Sequence, residues 1–304
     1  MGTPGFAVPV LQALYQAGHE ITCVITQPDR PRGRKGKLEP PEIKSAAQAL
    51  GLSVFQFEKI REDEPSQVLE EQGADVIVTA AYGQILSERN LAAAKYGVIN
   101  AHASLLPKYR GSCPVNWAIM EGETETGVTS MHTAKGVDTG DMILQRKIPI
   151  LAHETAGELL ERLSYVAAEV MVETIQAIAE GTAPRIPQDD SQATHCRMLK
   201  KEDGKIDFYL DAEEVVNRVR GLDPWPGSYI IGEGQPYKVF DARATDHVGE
   251  PGTVLCADEK QGLVIACKTG AVRFMSIQAP GKKRMQTADF LRGHAIALGK
   301  RFGD

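Results

Sequence analysis

The sequence predicts an α/β protein, a doubly wound, mostly parallel sheet followed by a small β-barrel domain. Three observations carry this. Up to Gly181, helical spacing alternates with short apolar runs, as in strands joined by crossover helices. From Gly181 to about Lys200 the periodicity vanishes, and Pro184, Pro187, Asp189, Asp190 and Ser191 take its place. Beyond that come short β-type runs at turn-punctuated intervals. At 304 residues the chain is long enough for two cores, with expected boundaries at 1–181, a linker at 182–204 and a second domain at 205–304.

The elements follow in order. Val10, Leu11, Leu14 and Ala17 predict an amphipathic helix ended by Gly18, and Ile21 to Thr26 the next strand. Gln27 to Lys37 is a Pro/Gly loop with five basic side chains and one acid. A helix near Pro41 to Leu50 leads to a strand at Ser53 to Phe55, and a helix near Pro65 to Gln72 to a strand at Asp75 to Ala80. Tyr82-Gly83-Gln84-Ile85-Leu86 follows the end of that strand, where ligands of open sheets sit. Val98 to His102 is the next strand, Pro114 to Met120 a helix, and Gly127 to Thr133 and Met142 to Pro149 two further strands. His132 is expected to face solvent. Thr155-x-x-Glu158 is a capping box opening a long helix striped by Leu159, Leu163, Val166, Val170 and Ile178. After the linker, Asp211 to Arg220 reads as a helix and Gly221 to Gly227 as a turn. Five short strands, Ser228 to Ile231, Pro236 to Ala242, Gly252 to Cys256, Leu263 to Cys267 and Val272 to Ile277, fit an OB-like barrel, a fold often used on nucleic acid.

Composition narrows the function classes. Charged residues at 24% and hydrophobic ones at 42% are ordinary for a globular protein. A net charge of -6 excludes the uniform positive field of a general nucleic-acid binder, so any RNA contact falls to local basic patches. Cys23, Cys113, Cys196, Cys256 and Cys267 form no C-x-x-C pair and no zinc spacing, so no metal is expected. The odd count and the lack of a secretory leader favour a reducing cytoplasm. No apolar run is of membrane-crossing length, and a monomer is expected.

The chemistry-bearing residues lie between Gly97 and Asp141. Asn100 and His102 stand two positions apart at the end of an apolar run, so strand periodicity aims both at one target. Asp138, in Gly136-Val137-Asp138-Thr139-Gly140-Asp141, could reach that imidazole, orient it and favour its charged form. Such a trio suits a reaction that develops negative charge on a carbonyl oxygen and moves a proton. Taken alone, Asn-x-His is more readily a turn cap beside a satisfied core histidine.

The longer string is more specific. Ser104-Leu105-Leu106-Pro107, Tyr109-Arg110-Gly111 and Gly136-x-Asp138-Thr139-Gly140-Asp141 closely resemble the signature of the folate-dependent formyltransferases. The resemblance covers nearly the whole chain and is weakest after about residue 228. It implies a formyltransferase-type, Rossmann-like first domain, with Asn100, His102 and Asp138 catalytic. The formyl donor it implies is 10-formyltetrahydrofolate, held by Gly83, Ile85 and Leu86 at the pterin and by Ser104, Leu105, Leu106 and Pro107; core packing remains open for Leu105 and Leu106.

For the acceptor, the resemblance implies the α-amine of methionine on initiator tRNA, in support of translation initiation, and the basic loop and second domain favour tRNA over a small amine. Arg34 falls where the family's tRNA-contacting arginine lies, beside Lys35 and Lys37. Between Lys268 and Asp304 the basic residues, among them Lys282, Lys283 and Arg284, outnumber two acids; exposed lysines also serve solubility, and only the resemblance tips them toward tRNA. The rivals are a formyltransferase acting on a small amine, such as glycinamide ribonucleotide or an amino sugar nucleotide, and a non-catalytic RNA-binding protein on the same fold. Cys113 could be a nucleophile, but direct transfer to an amine needs no covalent intermediate, so it is expected to fill space. In the family a Gly-Thr-Pro-x-Phe-Ala turn follows a hydrophobic first strand. Here the sequence begins at that turn, so either the recorded start is too late or the sheet is one strand short, and an upstream apolar segment is expected to raise stability.

Overall fold

The computed structural model describes residues 1–32 and 36–302. Contacts divide the chain into two compact units: Met1–Gly111 with Glu125–Pro149 and Leu160–Cys196, and Ser112–Thr124 with Ile150–Leu159 and Arg197–Asp304.

In the first unit, Ile77–Ala80 pairs in parallel with Val98–His102, with Thr79 opposite Asn100. Val98–His102 pairs antiparallel with Glu125–His132, which pairs antiparallel with Met142–Pro149. A separate parallel pair joins Val24–Thr26 to Val54–Gln56. All of Val24, Ile25 and Thr26 are buried, as a strand covered on both faces requires. The helix Ala7–Gln16 buries Ala7, Val10, Leu11 and Leu14, the stripe its spacing predicts.

Met1 and Gly2 bridge the two sets of strands through the backbone. Gly2 N donates to Ile25 O at 3.1 Å, Ala80 N donates to Met1 O at 3.0 Å, and Gly2 bridges Ala80 in parallel. Beside them an open groove of about 600 Å³ is lined by Leu14, Val24, Ile25, Ile77, Val78 and Ile178. The Met1 ammonium donates to Val78 O at 2.6 Å, and burial lowers its pKa from 8.0 to about 6.

The helix Ala156–Ala179 opens on the expected capping box: Thr155 N donates to Glu158 Oε2 at 2.8 Å and Glu158 N to Thr155 Oγ1 at 3.3 Å. The linker expected at 182–204 is not free chain, and the first unit runs on to Cys196. Ile186 and Met142 exchange backbone hydrogen bonds of 2.9 Å, and His195–Cys196 pairs in parallel with Arg110–Gly111. Polar composition concealed this because the segment is held through hydrogen bonds rather than an apolar stripe. The basic loop also differs from expectation, since Arg30–Arg32 and Lys37–Glu39 pair as antiparallel strands.

The second unit is the expected all-β domain. Strands Ser228–Gly232, Gln235–Thr245, Ala271–Gln278, Gly262–Ala266 and Val254–Asp258 lie side by side in that order, and Met285–Gln286 adds to Ala271–Gln278. The helix Ala212–Gly221 buries Val215, Val216 and Val219, which share one core with Ile230, Val254, Leu263 and Phe274. A helix at Thr287–Gly293, not expected from sequence, adds Phe290 to that core.

Candidate active site

The strand Val98–His102 delivers Asn100 and His102 to its carboxyl end on one face. Thr79, 6% exposed on the neighbouring strand, donates from Oγ1 to Asn100 Oδ1 at 2.9 Å. The side-chain oxygen of Asn100 is thereby occupied and its Nδ2 remains a donor. His102 is buried, with Nε2 2.9 Å from the Tyr109 carbonyl. A carbonyl only accepts, so the ring carries its proton on Nε2, and Nδ1 is the nitrogen turned toward Asp138 Oδ2, 3.6 Å away.

The carboxylate is placed by backbone. Asp138 Oδ2 accepts from Gly111 N at 2.8 Å. Tyr109 and Asp138 both hold left-handed φ angles, +59° and +52°, uncommon for non-glycine residues and concentrated at functional sites. Gly111 sits at φ +106° against the Cys196 carbonyl, and a Cβ on Gly140 would run into the His132 carbonyl, so neither position takes a side chain. Gln188 completes the support. Its Nε2 donates to Asp138 O at 2.9 Å and Gly140 O at 2.8 Å, while its Oε1 accepts from Arg110 Nε at 2.9 Å. Arg110, 3% exposed, also donates from Nη2 to Asp190 Oδ1 at 2.7 Å. Sequence reasoning missed Gln188, Asp190 and Thr79, because neither spacing nor motif marks a residue that acts through another's carbonyl or amide.

The expected folate residues form two loops. Ser104 is fully buried and donates to Lys108 O at 2.7 Å, so its hydroxyl shapes its own turn. Thr129 and Gln145 hold that turn: Thr129 Oγ1 donates to Ser104 O at 2.7 Å and Gln145 Nε2 to Leu106 O at 2.8 Å. Leu106 is buried at 3%, as the core-packing alternative has it, while Leu105 and Pro107 are half-buried. In the other loop Gly83 has φ +79°, Leu86 packs on the core beneath, and Ile85 is 74% exposed, an apolar side chain with its face open. Gln27 braces this loop by donating to Tyr82 O at 3.0 Å, and Gln84 by accepting from Ile60 N at 2.7 Å. Burial pushes the Tyr82 phenol well up, and its hydroxyl has no partner among the described residues.

Arg34 and Lys35 lie outside the described residues; Lys37, Lys282, Lys283 and Arg284 are exposed. The Arg284 guanidinium stands 4.2 Å over the Phe240 ring. Cys113 is half-buried at the N-cap of the helix Pro114–Met120. An open cavity of about 720 Å³ lies at the opposite, amino end of Val98–His102. It is lined by Tyr96, His132, Asp141 and Arg185, and holds none of the trio. His132 is half-buried there rather than facing solvent, 3.3 Å from Arg185, with its pKa lowered by burial and by that guanidinium. No helix among the described residues is long and apolar enough to cross a membrane.

Comparison with known proteins gives the family. A family profile described as "Formyl transferase" matches residues 1–175, and "Formyl transferase, C-terminal domain" matches 198–295. The chain is 46% identical over 303 residues to the methionyl-tRNA formyltransferase of Geotalea daltonii, covering 100% of this chain and 97% of the relative. To the enzyme of the same name from Moorella thermoacetica it is 45% identical over 305 residues, covering 100% and 98%. Among solved structures, WlaRD, a sugar 3N-formyl transferase seen with dTDP and 5-N-formyl-THF, superposes with a TM-score of 0.68 at 20% identity, over 93% of this chain and 97% of that one. HypX from Aquifex aeolicus, in complex with tetrahydrofolic acid, superposes with a TM-score of 0.59 at 20% identity, over 80% of this chain and 43% of that one. The solved structures speak for the fold and the full-length relatives for the lineage: this chain belongs to the formyl transferase family.

Proposed function

We propose that this protein transfers the formyl group of 10-formyltetrahydrofolate to the α-amine of methionine on initiator methionyl-tRNA, acting as a cytoplasmic monomer. The observation that carries this is 46% identity over the full chain to a methionyl-tRNA formyltransferase, in a chain whose Asn100 and His102 share one face at a strand end and whose Asp138 faces His102. The amine attacks the formyl carbon, forming a C–N bond and a tetrahedral centre; the bond to N10 then breaks, and the proton lost by the amine goes to N10. Asn100 Nδ2 donates to the developing oxyanion. With Nε2 committed to Tyr109, the proton passes through His102 Nδ1, and Asp138 faces the imidazolium that forms. The reference pKa of an α-amine, about 8, makes its deprotonation a small part of the barrier.

Exposed Ile85 and half-buried Leu105 supply apolar surface suited to the flat pterin. Exposed Lys37, Lys282, Lys283 and Arg284, with Arg34 and Lys35, offer charge to the tRNA phosphates. A small acceptor needs no such basic residues. Incubation with labelled 10-formyltetrahydrofolate and methionyl-tRNA tests the assignment: label on the tRNA supports it. Label on an amino sugar nucleotide or glycinamide ribonucleotide, and none on tRNA, refutes it.

A further inference from the structure

We propose that Thr79 is a positioning residue that sets which end of the Asn100 carboxamide faces the reacting carbonyl. The two ends of a carboxamide are nearly the same size and opposite in function: Nδ2 donates to an oxyanion, and Oδ1 repels it. An asparagine at the end of a strand is free to rotate between them. In this protein the parallel register puts Thr79 directly beside Asn100, with their side chains on the same face. The Thr79 hydroxyl lies 2.9 Å from Oδ1, and its alternative acceptor, the Ile99 carbonyl, is 3.4 Å away. One hydroxyl proton serves one good bond, and the shorter contact takes it. That bond fixes Oδ1 toward the neighbouring strand and leaves Nδ2 aimed outward before substrate arrives, which is preorganisation of the kind oxyanion donors need. Thr79 is buried, so water does not compete for its proton.

The role of Thr79 rests on that of Asn100 as oxyanion donor, and the experiment separates the two. Thr79→Val removes the hydroxyl and keeps the shape. The expected result is a fall in kcat of about three- to tenfold, with KM unchanged for both substrates. Thr79→Ser restores kcat to within about twofold of the parent. In an Asn100→Ala background Thr79→Val has no further effect, because no carboxamide remains to orient. Melting temperatures of all variants exclude a loss of folded protein. Unchanged kcat in Thr79→Val, or an additive loss in the double variant, overturns the proposal. So does a rise in kcat, which would mean that the hydroxyl holds the amide the other way round. Normal transfer by Asn100→Ala alone overturns the oxyanion assignment instead.

Discussion

The loop carrying Asp138 and the turn carrying Lys282, Lys283 and Arg284 look alike in sequence, short polar segments beside glycine, and are held in opposite ways. Asp138 is gripped at its carboxylate by Gly111 and at its carbonyl by Gln188, and Gly140 packs against the His132 backbone. Around Gly281 a Cβ would meet nothing within 4 Å, and the turn is tied mainly by Lys282 N donating to Ala279 O and Gln278 Nε2 to Lys282 O. Proton transfer and oxyanion binding fail if a group moves by an ångström, and the proposed mechanism places them on residues fixed by backbone. Attraction of phosphates depends on charge near a surface and tolerates mobile side chains.

The sharpest way to break this contrast is Asn100→Ala, expected to lower kcat by about a hundredfold or more, roughly 3 kcal/mol, with KM nearly unchanged. A normal rate in steady-state transfer would show that position matters no more there than in the basic turn.

The next concerns the groove beside Met1. Its amine has a folded pKa of about 6 against 8.0, so between those values the unfolded chain binds more protons and stability climbs as pH rises. For a chain starting at Met1 the gain is at most about 2 kcal/mol across that window, read as melting temperature against pH. An apolar segment fused ahead of Met1 is expected to raise the melting temperature and abolish the dependence; equal midpoints for the two proteins would contradict it.

Gln188→Ala sharpens the comparison from the support side. Losing the brace on the Asp138 loop is expected to cost about tenfold in kcat, the scale of one hydrogen bond. An unchanged rate would mean that Gly111 suffices.

In the basic turn, Lys282→Ala and Lys283→Ala are each expected to raise KM for tRNA a few-fold and reduce the salt slope by about one, leaving kcat and KM for folate alone. A kcat effect without a KM effect would place this turn with the held region. Cys113→Ser marks the floor of the scale, with activity within about twofold of the parent; loss of activity would return Cys113 to the chemistry.

Periodicity and spacing by themselves determined much of this protein. Pro114–Met120 and Met142–Pro149 stand where the pattern places them, to the residue, and the Thr155–Glu158 capping box forms as expected. Asn100 and His102 could be paired in advance because alternation along one strand is a local property. The pairing of Thr79 with Asn100, the reach of Gln188 to Asp138, and the use of His102 Nε2 by Tyr109 were settled only by the tertiary structure. Each joins segments through a single polar contact, and a lone hydrogen bond leaves no periodic trace in either partner. The same reason hid the docking of 182–196, which is held by hydrogen bonds to Met142, Arg110 and Asp138 rather than by a stripe of apolar side chains.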